Sequence, residues 1–165
     1  MHMSTPLTID RVYQCLATVM DPEIPVLSVV DLGMITGVEL AGSAAVTVKM
    51  IPTYAACPAL QFIQRNIQVS LERELQVPVL VQVDAATHWH SNRLTAAARQ
   101  KLEAFALAPP PVSGKVSAEI LLHTPCPHCG SKDTYMRSPF GATLCRATHF
   151  CKNCGQLFEQ FKPLE

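Results

Sequence analysis

The sequence has no run of the ~18 to 20 uncharged apolar residues that a helix needs to cross a bilayer. Its most apolar stretches are broken by Asp31, Pro52 and Pro58, so a membrane-spanning helix is excluded. An excess of charge of one sign is also missing, because thirteen Lys and Arg balance thirteen Asp and Glu. Without a positive field there is little to hold a phosphate backbone by counterion release. Aromatic residues make up only 6% of the chain, with a single tryptophan, so platforms for stacking bases are scarce. The opening MHMSTPLTID lacks a basic patch followed by an apolar core, the mark of an export signal. A cytoplasmic location is expected.

What the chain does have is 48% hydrophobic residues over 165 positions, enough for one packed domain with a small appendage. It also has seven cysteines. In a chain read as cytosolic, these argue for reduced thiols and metal ligation rather than a disulfide framework.

The proline-rich APPPVSG at 108 to 114 reads as a semi-rigid spacer. We therefore divide the chain into residues 1–112 and 113–165. Residues 1 to 114 carry seven basic and nine acidic groups, and 115 to 165 carry six and four, so neither part is strongly polarised. In the first part, apolar residues at helical spacing behind Thr8 predict a helix over about 8–20. Met34 to Leu40 and Ala44 to Met50 read as a β-hairpin. Pro58 opens a helix over about 58–75 whose stripe is Leu60, Ile63, Ile67, Leu71 and Leu75. VPVLVQV (77–83) reads as a third strand, and Thr95 caps a last helix. The expected fold is α+β: an α-β-β-α-β-α domain with a three-stranded mixed sheet, followed by a zinc-ribbon-like β domain.

In that second domain, Cys126-x-x-Cys129 and Cys151-x-x-Cys154 stand 21 residues apart, each followed by glycine. Two such knuckles supply the four thiolates of one tetrahedral structural site. Zinc is the expected ion, with iron or an iron–sulphur cluster as the rival and Cys145 as a fifth sulfur nearby. Strands are expected around 134–138, 143–150 and 156–161, with Phe158 and Phe161 as core.

Two loops of the first domain carry further chemistry. Cys57 precedes Pro58 at the start of the second helix, where N–H groups and the helix dipole favour an anion. It reads either as a thiol whose thiolate forms easily or as an inert apolar residue. Asp21 and Glu23 alternate with Pro22 and Pro25 in a stiff loop, as a carboxylate pair or as solvated or helix-capping acids. Asp31 suits a turn, and Cys15 suits packing. His88 and His90 read as a surface patch around Trp89, a candidate docking anchor.

The strings DPEIPVLSVVDLGM (21–34), IPTYAACPA (51–59), the region of Trp89, Leu94 and Thr95, and CPHCG with CKNCG resemble the PaaD family of phenylacetate-degradation proteins. In that family a small α/β domain, shared with SufT and cytosolic iron–sulphur targeting factors, is fused to a cysteine-rich domain. The resemblance implies a functional pocket of Asp21, Glu23, Thr53 and Cys57. It also implies an accessory role in the multicomponent phenylacetyl-CoA oxygenase, assisting assembly of iron or iron–sulphur centres, with iron or a cluster passing transiently over Cys57. Implied partners are subunits of that oxygenase or its iron–sulphur reductase, with self-association left open. Where the family commonly has a second tryptophan, this chain has Arg93, and the approach to Trp89 is about two residues longer. Two other functions are weighed: an enzyme using Cys57 as nucleophile, and a nucleic-acid adaptor with Lys132, Arg137 and Arg146 on phosphates.

Overall fold

A computed structural model describes residues 6–112 and 117–163. The chain forms two compact units, residues 1–88 and 89–165.

In the first unit, helix α1 (Ile9–Leu16) starts where the Thr8 hydroxyl accepts the Arg11 N–H at 3.2 Å. It is shorter than the sequence suggests. Thr18 and Val19 fold back in tight turns onto Cys15 and Leu16, and Met20 pairs with Ser28 in an isolated bridge. Strands β1 (Ile35–Ala41) and β2 (Ala45–Met50) form the hairpin. Helix α2 (Leu60–Leu75) then crosses back so that β3 (Val79–Val83) lies parallel to β2. The sheet order is β1-β2-β3, mixed as expected. On β2, Val46, Val48 and Met50 are buried while the intervening residues are half-exposed. One face of the sheet is therefore covered, by α1 and α2. Val12, Leu16, Ile63, Ile67 and Leu71 sit in this core, each at most 1% exposed. α2 ends at Gln76, whose left-handed backbone (φ 57°) returns its N–H to Glu72.

The second unit opens with a 3-10 turn (Ser91–Arg93) and helix α3 (Ala96–Ala104). The Thr95 hydroxyl caps α3, accepting the Ala98 N–H at 3.0 Å as predicted. A two-residue strand β4 (Leu107–Ala108) and a short helix α4 (Ala118–Leu122) follow. Then come β5 (Thr134–Ser138), β6 (Arg146–Cys151) and β7 (Leu157–Phe161). The sheet order is β4-β7-β6-β5, with β4 parallel to β7 and the rest antiparallel. Phe158 and Phe161 are buried, as expected.

The compact units meet at residue 88, whereas the sequence suggests a division at 112. The physical reason is that β4 pairs with β7 and the Trp89 ring packs on Phe161 with centroids 5.6 Å apart. These contacts tie residues 89–108, including the last helix of the α-β-β-α-β-α order, to the ribbon. The Ser113–Gly114 end of the spacer lies outside the described residues. Among the described residues no helix is long and apolar enough to cross a membrane.

Candidate metal centre and thiol pocket

The two cysteine knuckles are built alike. Cys126 N–H reaches the Ser131 carbonyl and Gly130 N–H returns to the Cys126 carbonyl; Cys151 and Gly155 repeat this with Gln156, all at 2.8–2.9 Å. Gly130 (φ 73°) and Gly155 (φ 71°) take the left-handed conformation that closes each knuckle and that other residues adopt only at a cost. The first knuckle leads into β5, and the second begins at the last residue of β6.

The four sulfurs lie within 4.8 Å of one another. Cys126 Sγ is 3.7 Å from Cys154 Sγ, and Cys129 Sγ is 3.6 Å from Cys151 Sγ. Four thiolates about 2.3 Å from one ion occupy a tetrahedron with edges of about 3.8 Å, so the spacing fits a single tetrahedral ion. The electrostatics agree. The Ser131 N–H and the Asn153 side-chain amide hold Cys129 down to about 6. At Cys154 the Gln156 N–H favours the thiolate, but burial and the three neighbouring sulfurs outweigh it and push the thiol up to about 12. Burial also raises Cys126. Four crowded thiols resist full ionisation until a cation shares their charge. Asn153, whose Nδ2 stands 3.6 Å from Cys129 Sγ, escapes sequence reasoning. Its only signal there is its place inside the second knuckle. Cys145 is buried against the Thr143 hydroxyl at 3.0 Å and is not one of the four.

The first unit holds the other candidate site. Asp21 is buried and its Oδ1 accepts the N–H groups of Glu23 and Ile24, both at 2.8 Å. Ser28 and Asp31 cap each other: Asp31 Oδ2 accepts the Ser28 N–H at 3.0 Å and the Ser28 hydroxyl accepts the Asp31 N–H at 3.1 Å. Both acids therefore hold turns of the loop, as expected for Asp31; no helix starts there, so Asp21 does not take the helix-capping role that the sequence left open. Thr53 and Cys57 are half-buried in the β2–α2 connection.

Cys57 sits about one turn before α2, which begins at Leu60 rather than at Pro58. Its N–H donates to the Tyr54 carbonyl, and its own carbonyl accepts the Leu60 N–H at 3.3 Å. Burial pushes the thiol up, the backbone N–H groups of Ala59 and Leu60 pull it down, and the charges of Glu23 and Asp21 raise it further. The net shift is upward. This corrects the expectation of an easily formed thiolate: half-burial and two acids outweigh two helix-start N–H groups. A nucleophile at this position would have to be activated against that shift. The charges of Glu23 and Asp21 are thus felt at Cys57, and Thr53 lies in the same connection as the thiol.

Two other expectations change. Trp89 is 6% exposed and packed on Phe161, so it is a core residue and not a docking anchor. His88 and His90 are exposed. Arg146 is buried and ion-paired to Glu159 at 2.9 Å, which withdraws it from any phosphate.

An α/β domain carrying a thiol beside two acids, joined to a tetracysteine β-ribbon, is a two-module class of metal-associated protein, and comparison with known proteins places it. Residues 9–85 match the iron–sulfur cluster assembly protein family and residues 112–162 the PaaD zinc β-ribbon domain. The chain belongs to the PaaD family. It is 32% identical, over 95% of its length and 94% of the relative's, to an Escherichia coli (strain K12) protein described as one of the subunits of a 1,2-phenylacetyl-CoA epoxidase. Over 58% of its length it is 33% identical to an Fe–S protein maturation auxiliary factor of Porphyromonas gingivalis (strain ATCC BAA-308 / W83), covering 90% of that protein. Two solved structures share the fold. A conserved hypothetical protein of Thermotoga maritima has 27% identity and a TM-score of 0.52, over 61% of this chain and 98% of that one. A domain of unknown function from Bacillus anthracis has 24% identity and a TM-score of 0.53, over 56% and 89%.

Proposed function

We propose that the chain is a cytosolic accessory factor of a multicomponent phenylacetyl-CoA oxygenase. In this reading it helps iron or iron–sulphur centres form in its clients, the oxygenase or its iron–sulphur reductase. Zinc, held by Cys126, Cys129, Cys151 and Cys154, stiffens the ribbon for docking. Iron or a cluster passes over the pocket of Asp21, Glu23, Thr53 and Cys57 as cargo. The observation that carries this reading is the half-buried thiol of Cys57, which receives the Ala59 and Leu60 N–H groups and feels the charges of Glu23 and Asp21. Support comes from the relatives, one described as part of an epoxidase and one as an iron–sulphur maturation factor.

The raised thiol suits a transient ligand. It is protonated and unreactive between cargoes, and it gives up its proton only when a cation arrives. Cys57→Ser removes that ligand without touching the four ribbon cysteines. The expected outcome is a folded protein whose co-expressed oxygenase and reductase contain less iron by metal analysis. Clients with normal iron content would overturn the proposal.

A further inference from the structure

The two edges of the first sheet are treated differently. β1 is blunted by a bulge between Ile35 and Gly37 and by the exposed Glu39, which pairs with Lys49. β3, on the other side, has no strand beyond it among the described residues. Neither Val79 to Val83 nor the preceding Val77 and Pro78 carry a charge. Natural proteins place charges, prolines or bulges on exposed edges to stop them pairing, and β3 has only Pro78, at its start.

The hydrogen bonds fix which groups are free. The Pro78 carbonyl accepts the Val46 N–H at 3.0 Å, and the Asp84 N–H donates to Met50 at 2.8 Å. The even-numbered residues thus face β2, and Val79, Val81 and Val83 direct their backbone groups outward. The Glu72 carboxylate accepts the Val79 N–H at 3.2 Å, leaving Val81 and Val83 to offer N–H and C=O to an incoming strand.

Helix α2 lines the same edge. A groove of about 540 Å³ is lined by Gln61, Arg65, Gln68, Val69, Glu72 and Val81. Val69 and Leu80 are each 54% exposed. Along α2, Arg65 and Glu72 flank Val69, one on each side.

This strip is complementary to itself. We propose that β3 pairs antiparallel with β3 of a second copy of this chain, Val81 opposite Val81 and Val79 opposite Val83, giving a continuous six-stranded sheet. The two-fold axis that sets this register brings the α2 helices side by side, Val69 near Val69 and Arg65 of each copy near Glu72 of the other. An isologous interface needs a patch that is its own complement. A strand without charge, flanked by one cation and one anion at nearly equal spacing from the centre, is such a patch. A client of unrelated sequence would not require that symmetry. When the copies meet, Glu72 exchanges the Val79 N–H for an arginine, and that N–H gains the Val83 carbonyl.

The test uses the full chain in sedimentation velocity across a concentration series. The expected species has twice the chain mass, dissociating on dilution. Val81→Pro removes an outward N–H without touching the β2 ladder and should leave a monomer. Arg65→Glu and Glu72→Arg should each weaken the dimer about tenfold, since each turns two attractions into repulsions. The double swap should restore it. Far-UV circular dichroism checks that each variant is folded. Hydrogen exchange at Val81 and Val83 should slow as concentration rises in the unsubstituted chain. A monomer into the high micromolar range would overturn the proposal. So would a dimer indifferent to the charge swaps, or an edge that binds a client while the chain alone stays monomeric.

Discussion

Removing the ion from the four cysteines should unfold the second unit and spare the first, and the chain carries its own reporter. Trp89 is the single tryptophan, it lies in the second unit, and it is packed on Phe161 of β7. A structural tetrathiolate ion contributes an apparent ~10 to 16 kcal/mol at neutral pH, against a net stability of ~5 to 15 kcal/mol for a whole domain. The metal-free ribbon should therefore be unfolded, not merely loosened. Chelation, verified by metal analysis, should move the Trp89 emission to the red. Far-UV signal from α1 and α2 should persist. The thiols add an internal check. Cys126 is raised, and Cys154 is pushed up to about 12, while Cys129 is held down at about 6. Between pH 7 and 8, binding must therefore displace protons from at least Cys126 and Cys154. Apparent affinity should fall at least about hundredfold for each unit of acidification, since no fewer than two protons are released. If stoichiometric metal loss left the tryptophan emission unchanged, the claim that the ion holds this unit together would be refuted.

Asp21→Ala should cost about 2 to 4 kcal/mol in urea unfolding, because one buried and one half-buried N–H group lose a charged acceptor. Asp21→Asn, which keeps an oxygen in place, should cost about 1 kcal/mol; equal costs for the two would refute its role in holding the turn. Alkylation of Cys57, followed by peptide mass mapping, should rise with pH only above the ordinary thiol range, the folded thiol being raised. Glu23→Gln should speed that labelling at pH 8 by removing a charge that opposes the thiolate; an unchanged or slower rate counts against the electrostatic account. As separate fragments, 113–165 and 89–165 should both bind metal. The shorter should melt earlier, having lost the Trp89–Phe161 contact and the β4–β7 pairing; equal melting would favour the division at 112.

Much of the fold is legible in the sequence because its signals are local and repeated. The α2 stripe from Ile63 to Leu75, the alternation along Val46, Val48 and Met50, and the Thr8 and Thr95 caps each follow from spacing alone. The paired knuckles are legible for the same reason. What the sequence hides is long-range. Trp89 resembles a surface anchor beside two exposed histidines until β7 brings Phe161 onto it. The last helix resembles a cover for the first sheet until the β4–β7 pairing shows that its neighbours belong to the ribbon. Arg146 looks like a free cation until Glu159, thirteen residues on, neutralises it.

Cys57 is the most instructive difference, because its position is legible in the sequence and its chemistry is not. A place beside a helix start is a local property, and it does lower the thiol through Ala59 and Leu60. Burial and the approach of Asp21 and Glu23 come from a loop more than thirty residues earlier, and together they win. The two candidate sites are thereby set apart by physics rather than by residue type. In the ribbon, four sulfurs at 3.6–3.7 Å in pairs are too crowded to stay charged alone and so retain a cation. In the first unit, one sulfur that resists ionisation gains little by keeping a metal and little by reacting without one. On the function proposed above, a permanent site and a passing one can therefore coexist in a single chain without competing for the same ion.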